Sequence, residues 1–293
     1  MDLNRMPEYR ILRNLVENVL RSWKIVADDI SPISTSGNCH WRVTCAGEAF
    51  VLRMYRRGRS SSSILYEIEI LDRLHRRGWP VATALYETVV QSGRVFALFP
   101  FLPGRSNQDE TPEQMRCRGR ILAELHSELK TAVGVGQRTG WERTDEVART
   151  AELDILHTSD TARAIARHLE RVQSRLDTVH ASSFPITVIH GDFIAQNLLF
   201  QGEKLSGVID FDSVHRDLRA ADVACARRSR LDDVVRGYLD VSPLTDSELG
   251  CLDDLWRASV LRYALEILRN TRAVNVSKLR WCVSQLEKTI PFD

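Results

Sequence analysis

Lysine is scarce in the first part of this chain: Lys24 is the sole one before Lys130, so a site there that needs a cation must draw on arginine. Neither strong phosphate-loop signature, G-x-x-x-x-G-K-[ST] or G-x-G-x-x-G, occurs. The six cysteines, Cys39, Cys45, Cys117, Cys225, Cys251 and Cys282, form no C-x-x-C pair. That argues against a zinc site or a disulfide framework and leaves buried thiols as the expectation. No apolar run reaches the roughly 20 residues that cross a bilayer. Residues 1–5 lead into a charged amphipathic segment rather than a signal peptide, so a cytoplasmic location without a membrane partner is expected. A dominant charge is missing too: 40 basic and 39 acidic residues leave a formal +1. No whole-protein field therefore draws the chain to nucleic acid, and Trp41, Trp141, Trp256 and Trp281 are too dispersed for a base-stacking platform. Small ligands are the expected partners; nothing bears on oligomeric state.

What is present is ample apolar content, 43% of 293 residues, enough for one large domain or two lobes. Ile11, Leu12, Leu15, Val16, Val19 and Leu20 recur at helical spacing and predict an amphipathic helix within residues 9–27. Residues 33–55 read as a three-stranded meander broken at Ser36-Gly37-Asn38 and Ala46-Gly47. A helix carrying Ile64, Ile68, Leu71 and Leu74 follows, then a strand near residues 95–99. After Gly104 the pattern turns helical. Thr111-Pro112-Glu113-Gln114 and Thr245 with Glu248 both carry capping-box spacing. Residues 133–152, with Gly134, Gly136 and Gly140, read as a loose lid or substrate-side insertion.

The chemistry concentrates between residues 186 and 222. A β-branched run, Ile186-Thr187-Val188-Ile189, leads into His190-Gly191-Asp192, with Asn197 five residues beyond the aspartate. Apolar residues on both sides of Gly202-Glu203-Lys204 then predict a hairpin ending at Ile209-Asp210-Phe211-Asp212. This spacing repeats a kinase catalytic loop and metal-binding turn. Phosphoryl transfer needs a positioned nucleophile and a divalent ion held against phosphate oxygens. Asp192 would orient the acceptor hydroxyl and take its proton, and Asn197 and Asp210 would offer hard oxygen ligands to Mg²⁺, with Asp212 assisting from behind. Taken singly, each is as readily a turn residue.

Val188-Ile-His-Gly-Asp-Phe-Ile-Ala-Gln-Asn-Leu-Leu-Phe200, Ser206-Gly-Val-Ile-Asp-Phe-Asp212 and Ala221-Asp222-Val223-Ala224 resemble the aminoglycoside phosphotransferase and choline kinase family of small-molecule kinases. Ser242-Pro-Leu-Thr-Asp-Ser-Glu248 and Leu261-Arg-Tyr-Ala-Leu265 look most like its type II homoserine kinase branch. The resemblance implies an α+β, two-lobed, protein-kinase-like fold: residues 1–103 as a small lobe with an antiparallel sheet that binds nucleotide, residues 104–293 as a larger, mainly helical lobe for catalysis and acceptor. It implies ATP, with GTP not excluded, and Mg²⁺. By the same resemblance Arg53 is the nucleotide-binding cation, Glu67 its helix partner, and the Pro100 carbonyl and Leu102 N–H face adenine. His190 would support the loop and Asp222 anchor it.

The phosphate loop rests on Ser36 and Gly37 alone, and a hairpin turn needs the same residues. Residues 213–293 hold 12 acidic and 13 basic residues, not the acidic surface a polycationic aminoglycoside would meet. Arg262, Glu266 and Arg269 share a helical face and could meet an amino acid's carboxylate and ammonium, or form an exposed ion-pair ladder. A homoserine-like amino alcohol or hydroxy amino acid is the first acceptor reading, and an antibiotic hydroxyl the second. A nucleotide-binding regulator without catalysis stands as the alternative of another class. A protein kinase is disfavoured because no A-P-E element follows Asp210. Asp192→Asn is expected to leave nucleotide binding in place and lower turnover by roughly 10² or more, read from paired binding and rate measurements; full activity would contradict the role.

Overall fold

The apolar stripe near the N-terminus meets a sheet. The computed structural model describes residues 7–34, 37–107, 110–130, 136–147, 159–228, 232–269 and 275–288. Helix α1 (Pro7–Ser22) lays Val16, Val19 and Leu20 on a five-stranded antiparallel sheet of order β1-β2-β3-β5-β4. The strands are β1 (Asp29–Ser34), β2 (Cys39–Cys45), β3 (Glu48–Met54), β4 (Val89–Gln91) and β5 (Arg94–Pro100). Strand side chains alternate faces. Trp41 and Val43 of β2, Leu52 and Met54 of β3, and Phe96 and Leu98 of β5 all fall on the α1 side. Arg53, between two of these, must point to the other face. There α2 (Ser61–Arg76), capped by the Ser60 side chain on Ser63 N–H, presents the fully buried Glu67. The meander, its helices and the strand near residue 95 thus form as predicted; β4, only three residues long, was not foreseen.

By its contacts the chain divides into two units, Met1–Ser106 with Leu198–Ile209, and Asn107–Asn197 with Asp210–Asp293. The hairpin of β7 (Leu198–Gln201) and β8 (Lys204–Val208) therefore belongs with the first unit although it follows Asp192 and Asn197 of the second in sequence. Backbone bonds give the reason. Arg105 and Phe200 exchange N–H···O bonds of 3.0 and 2.9 Å, and Val208 N–H reaches the Pro80 carbonyl at 2.8 Å. A single cut at 103/104 cannot capture this exchange.

The second unit is mainly helical. It contains α3 (Pro112–Leu129), α4 (Asp160–Thr178), α5 (Arg219–Arg227), α6 (Asp232–Leu239), α7 (Asp246–Gly250), α8 (Leu252–Arg269) and α9 (Val276–Glu287), with a two-stranded pair, β6 (Ile186–Ile189) and β9 (His215–Leu218). Both predicted capping boxes form, at Thr111 with Gln114 and at Thr245 with Glu248. Residues 136–147 are not a loose insertion: Arg138, Thr144, Asp145 and Val147 are buried. The remainder of the 133–152 stretch lies outside the described residues.

Helices α3 and α6 approach closely because both are glycine at the crossing. A Cβ on Gly119 would collide with the Val234 carbonyl, and one on Gly237 with the Arg116 carbonyl. Gly119→Ala is expected to cost roughly 1 to 3 kcal/mol by forcing these backbones apart. Urea denaturation checks this, and stability at or above wild type would contradict it.

Candidate active site

The loop after β6 is built around a buried carboxylate. Asp222, in the first turn of α5, accepts the N–H groups of His190 at 2.8 Å and Gly191 at 2.9 Å. Its Oδ2 lies 3.0 Å from His126 Nε2, and His126 Nδ1 lies 3.0 Å from the Tyr238 hydroxyl. An ionised carboxylate only accepts, so Nε2 carries the imidazole proton and Nδ1 is left to accept from the phenol. Burial alone would raise the Asp222 carboxyl, but the hydrogen bonds from His126 and from the His190 N–H outweigh it and hold the group below its ordinary 3.8. Burial pushes the Tyr238 hydroxyl up to about 12, so it stays a donor. Gly191 has φ +81, and a Cβ there would crowd the Ser213 backbone. The buried His190 ring lies edge-on to Phe193 at 5.5 Å and tilted against Phe211 at 4.5 Å.

Asp192 follows the two anchored residues directly. The buried Asn197 donates its Nδ2 to the Asp192 carbonyl at 2.8 Å and to its Oδ2 at 3.4 Å, leaving the Asn197 carbonyl oxygen as the group it can offer outward. Burial pushes the Asp192 carboxyl above its ordinary range; His190 opposes this and the charge of Asp210 adds to it. The second unit therefore brings Asp192, Asn197 and Asp210 into one neighbourhood. Asp210 is exposed and held at φ 64, ψ 54, a left-handed conformation uncommon outside glycine and more accessible to aspartate than to most residues with a Cβ. Part of the constraint is Arg138, whose Nη1 donates to the carbonyls of Asp212 and Val214, both at 2.8 Å. The Asp212 side chain is half-buried in that turn.

Among the described residues no cluster of three or more His, Cys, Asp and Glu could hold a metal. The donor set here is of another kind, carboxylate oxygens and one amide carbonyl. That suits Mg²⁺, which takes one or two protein carboxylates and completes its shell with water and phosphate oxygens. A cation would also relieve the repulsion between Asp192 and Asp210.

In the first unit, Arg53 and Glu67 form the ion pair that the sequence suggested, at 2.5 Å. Arg53 Nε also donates to His40 Nε2 at 2.9 Å, and its guanidinium lies over the Phe99 ring at 5.4 Å. Gly37 sits at φ +74 in the β1–β2 turn with open space around it, whereas Ser36 lies outside the described residues. The Phe101 N–H bonds the Ala49 carbonyl at 3.1 Å, so the alternating backbone groups of Pro100 and Leu102 turn away from β3. Among the described residues no hydrogen bond uses the Leu102 N–H.

The acceptor-side trio does not stay together as an open face. Arg262 turns inward, with Nη1 2.9 Å from His215 Nε2 and 3.4 Å from Asp217 Oδ2, while Glu266 and Arg269 are exposed. Asp217 is fully buried and also binds Thr144 N–H and hydroxyl, so Arg262 supports that network. Sequence reasoning missed His40, His126, Tyr238, Arg138 and Asp217. His126 was the most detectable, since it breaks the apolar stripe of Leu122, Leu125 and Leu129.

A family model for the phosphotransferase enzyme family matches residues 29–246. The chain belongs to the phosphotransferase enzyme family. This phosphotransferase is 28% identical over 276 residues to a homoserine kinase of Rhizobium johnstonii, covering 84% of the chain and 79% of that relative. Its fold matches an amicoumacin kinase solved with AMP-PNP, Ca²⁺ and Ami at TM-score 0.72 and 15% identity, over 98% and 97% of the two chains. A microcompartment-associated aminopropanol kinase matches at TM-score 0.70 and 19% identity, over 94% of each. The chain is thus a small-molecule kinase with a protein-kinase-like α+β fold, and no described helix is long and apolar enough to cross a membrane.

Removing the anchor should be costly. In Asp222→Ala two backbone N–H groups and His126 lose their acceptor, and a loss of about 3 kcal/mol or more is expected at neutral pH. A carboxyl held below 3.8 contributes stability above its unfolded pKa and loses it as pH falls through the folded value. The gap between wild type and variant should therefore persist down to about pH 4 and narrow below it. Denaturation across pH checks this; a gap that already closes between pH 7 and 5 would contradict it.

Proposed function

We propose that this phosphotransferase transfers the γ-phosphoryl group of ATP to the hydroxyl of a homoserine-like hydroxy amino acid or amino alcohol. The observation that carries the reading is the grouping of Asp192, Asn197 and Asp210 behind the Asp222 anchor. Asp192 accepts the acceptor hydroxyl's hydrogen bond and takes its proton as the oxygen bonds to the γ-phosphorus and the bond to the β-phosphate oxygen breaks. Its carboxyl, raised by burial, is a better proton acceptor than an exposed aspartate. Asn197 and Asp210 would hold Mg²⁺, which when bound would neutralise charge on the phosphate oxygens. His190 packs behind the loop and Asp212 behind the metal turn. Arg53, oriented by Glu67 and His40, meets nucleotide phosphate with the Gly37 turn and, in the family's pattern, Ser36. The Pro100 carbonyl and Leu102 N–H meet adenine. A permanently charged guanidinium can take the place of the usual lysine because its planar fork binds phosphate as well as carboxylate.

The homoserine kinase relatives support the acceptor class, as does the balanced charge of residues 213–293, which offers no acidic surface for a polycation. Nucleotide consumption should be measured with homoserine, choline, hydroxylated amino acids, aminoglycosides and other hydroxylated antibiotics. Turnover is expected with homoserine or another small hydroxy amino acid or amino alcohol. Turnover restricted to antibiotics would replace the acceptor assignment, and nucleotide binding without turnover of any acceptor would contradict the kinase reading.

A further inference from the structure

Helix α5 ends in two consecutive arginines with different fates. Arg227 is spent inside the fold, paired with Asp253 and, at 3.2 Å, with Asp232. Arg228 is exposed, and among the described residues no hydrogen bond or ion pair engages its side chain. Its backbone is at φ 53, ψ −136, a region that residues with a Cβ seldom occupy, and its N–H is tied to the Ala224 carbonyl at 2.9 Å.

The turn before Arg228 is fastened to the catalytic loop at two points. Cys225 Sγ donates to the Gly191 carbonyl at 3.7 Å. Arg118 Nη1 bridges the Ala226 carbonyl at 2.7 Å and the Phe193 carbonyl at 3.4 Å. Arg118 is itself buried and doubly bonded to Glu110, so the bridge is rigid. These ties bracket Asp192 between Gly191 and Phe193 and bring the end of α5 to its side. The charge of Arg228 is felt there, opposing the rise of the Asp192 carboxyl.

Resting on the reading that Asp192 receives the acceptor hydroxyl, we propose that Arg228 binds a carboxylate on the acceptor, so that the enzyme selects hydroxy amino acids over amino alcohols that lack one. An unpaired guanidinium offers a planar pair of N–H donors that matches a carboxylate. The strained backbone is then explained as the conformation that carries those donors beside the base, on the loop segment where the acceptor must lie. A nucleotide phosphate is the competing anion, but Arg53 and the metal ligands already address it.

The test compares kcat/KM for homoserine with that for 3-aminopropan-1-ol, the same hydroxyl and amine without the carboxylate, in wild type, Arg228→Met and Arg228→Lys. Wild type is expected to prefer homoserine, and Arg228→Met to lower that preference by roughly 10- to 100-fold through KM, with partial recovery in Arg228→Lys. The exposed position should leave the fold intact, which circular dichroism verifies. A wild type that prefers aminopropanol, or a preference that the variants do not move, overturns the carboxylate assignment and leaves the kinase chemistry standing. A loss shared by both acceptors together with a raised KM for ATP assigns Arg228 to phosphate and overturns it as well. If wild type binds nucleotide but turns over neither acceptor nor any other in the panel, the underlying reading fails and the inference with it.

Discussion

The Asp222 carboxylate is withdrawn from water and receives three N–H groups, two from the loop backbone and one from His126, while among the described residues no arginine or lysine touches it. A buried charge in such a place is tolerable only if its lone pairs are satisfied by fixed donors. The donors must therefore hold their positions, and through them so must the chain that carries them. His126 is held from behind by Tyr238 of α6, and α6 can come that close to α3 because Gly119 faces the Val234 carbonyl and Gly237 the Arg116 carbonyl at the crossing. The Gly191 and Phe193 carbonyls are taken by Cys225 and Arg118. Between two fixed peptides, Asp192 has little freedom.

The rigid support allows a site that is unfavourable on its own terms. Two carboxylates, Asp192 and Asp210, sense each other, and Asp210 sits in a left-handed conformation. Like charges brought together and a strained backbone cost stability, and they persist where the surroundings over-determine them. On the proposed reading both costs serve phosphoryl transfer: the paired negative charges would attract a divalent cation, and the left-handed turn would aim Asp210 at it. In the first unit the Arg53–Glu67 pair follows the same logic, a buried Glu67 fixing a guanidinium that would otherwise sample many rotamers.

What the chain revealed before its structure was known follows from the range of the interactions involved. Local signals were legible: the two capping boxes, the amphipathic stripe of α1, the strand, loop and hairpin around Asp192, and the face-alternating strands that carry Arg53. Arg53 and Glu67 were paired through family resemblance, not periodicity. His40 could have been found by arithmetic, because the Ala46-Gly47 turn sets the β2–β3 register and places His40 opposite Arg53. Interactions joining distant segments were not legible. The Arg138 bonds to the 212 and 214 carbonyls span more than seventy residues and involve backbone acceptors that no side-chain pattern announces. Arg262 shows the opposite error: helical spacing suggested an open face with Glu266 and Arg269, but β9, which was not predicted, supplies a buried Asp217 that draws the guanidinium inward. Short strands such as β4 and β9 take their stability from neighbours rather than from their own residues.

Amide hydrogen exchange at His190 and Gly191 tests the central claim most directly. If the Asp222 carboxylate holds the loop, both amides should exchange in the wild type as slowly as the core of β6, opening only with global unfolding, and should exchange at least about a hundredfold faster than the β6 core in Asp222→Ala. Fast exchange at these two positions in the wild type, or the same protection relative to β6 in the variant, would contradict the account.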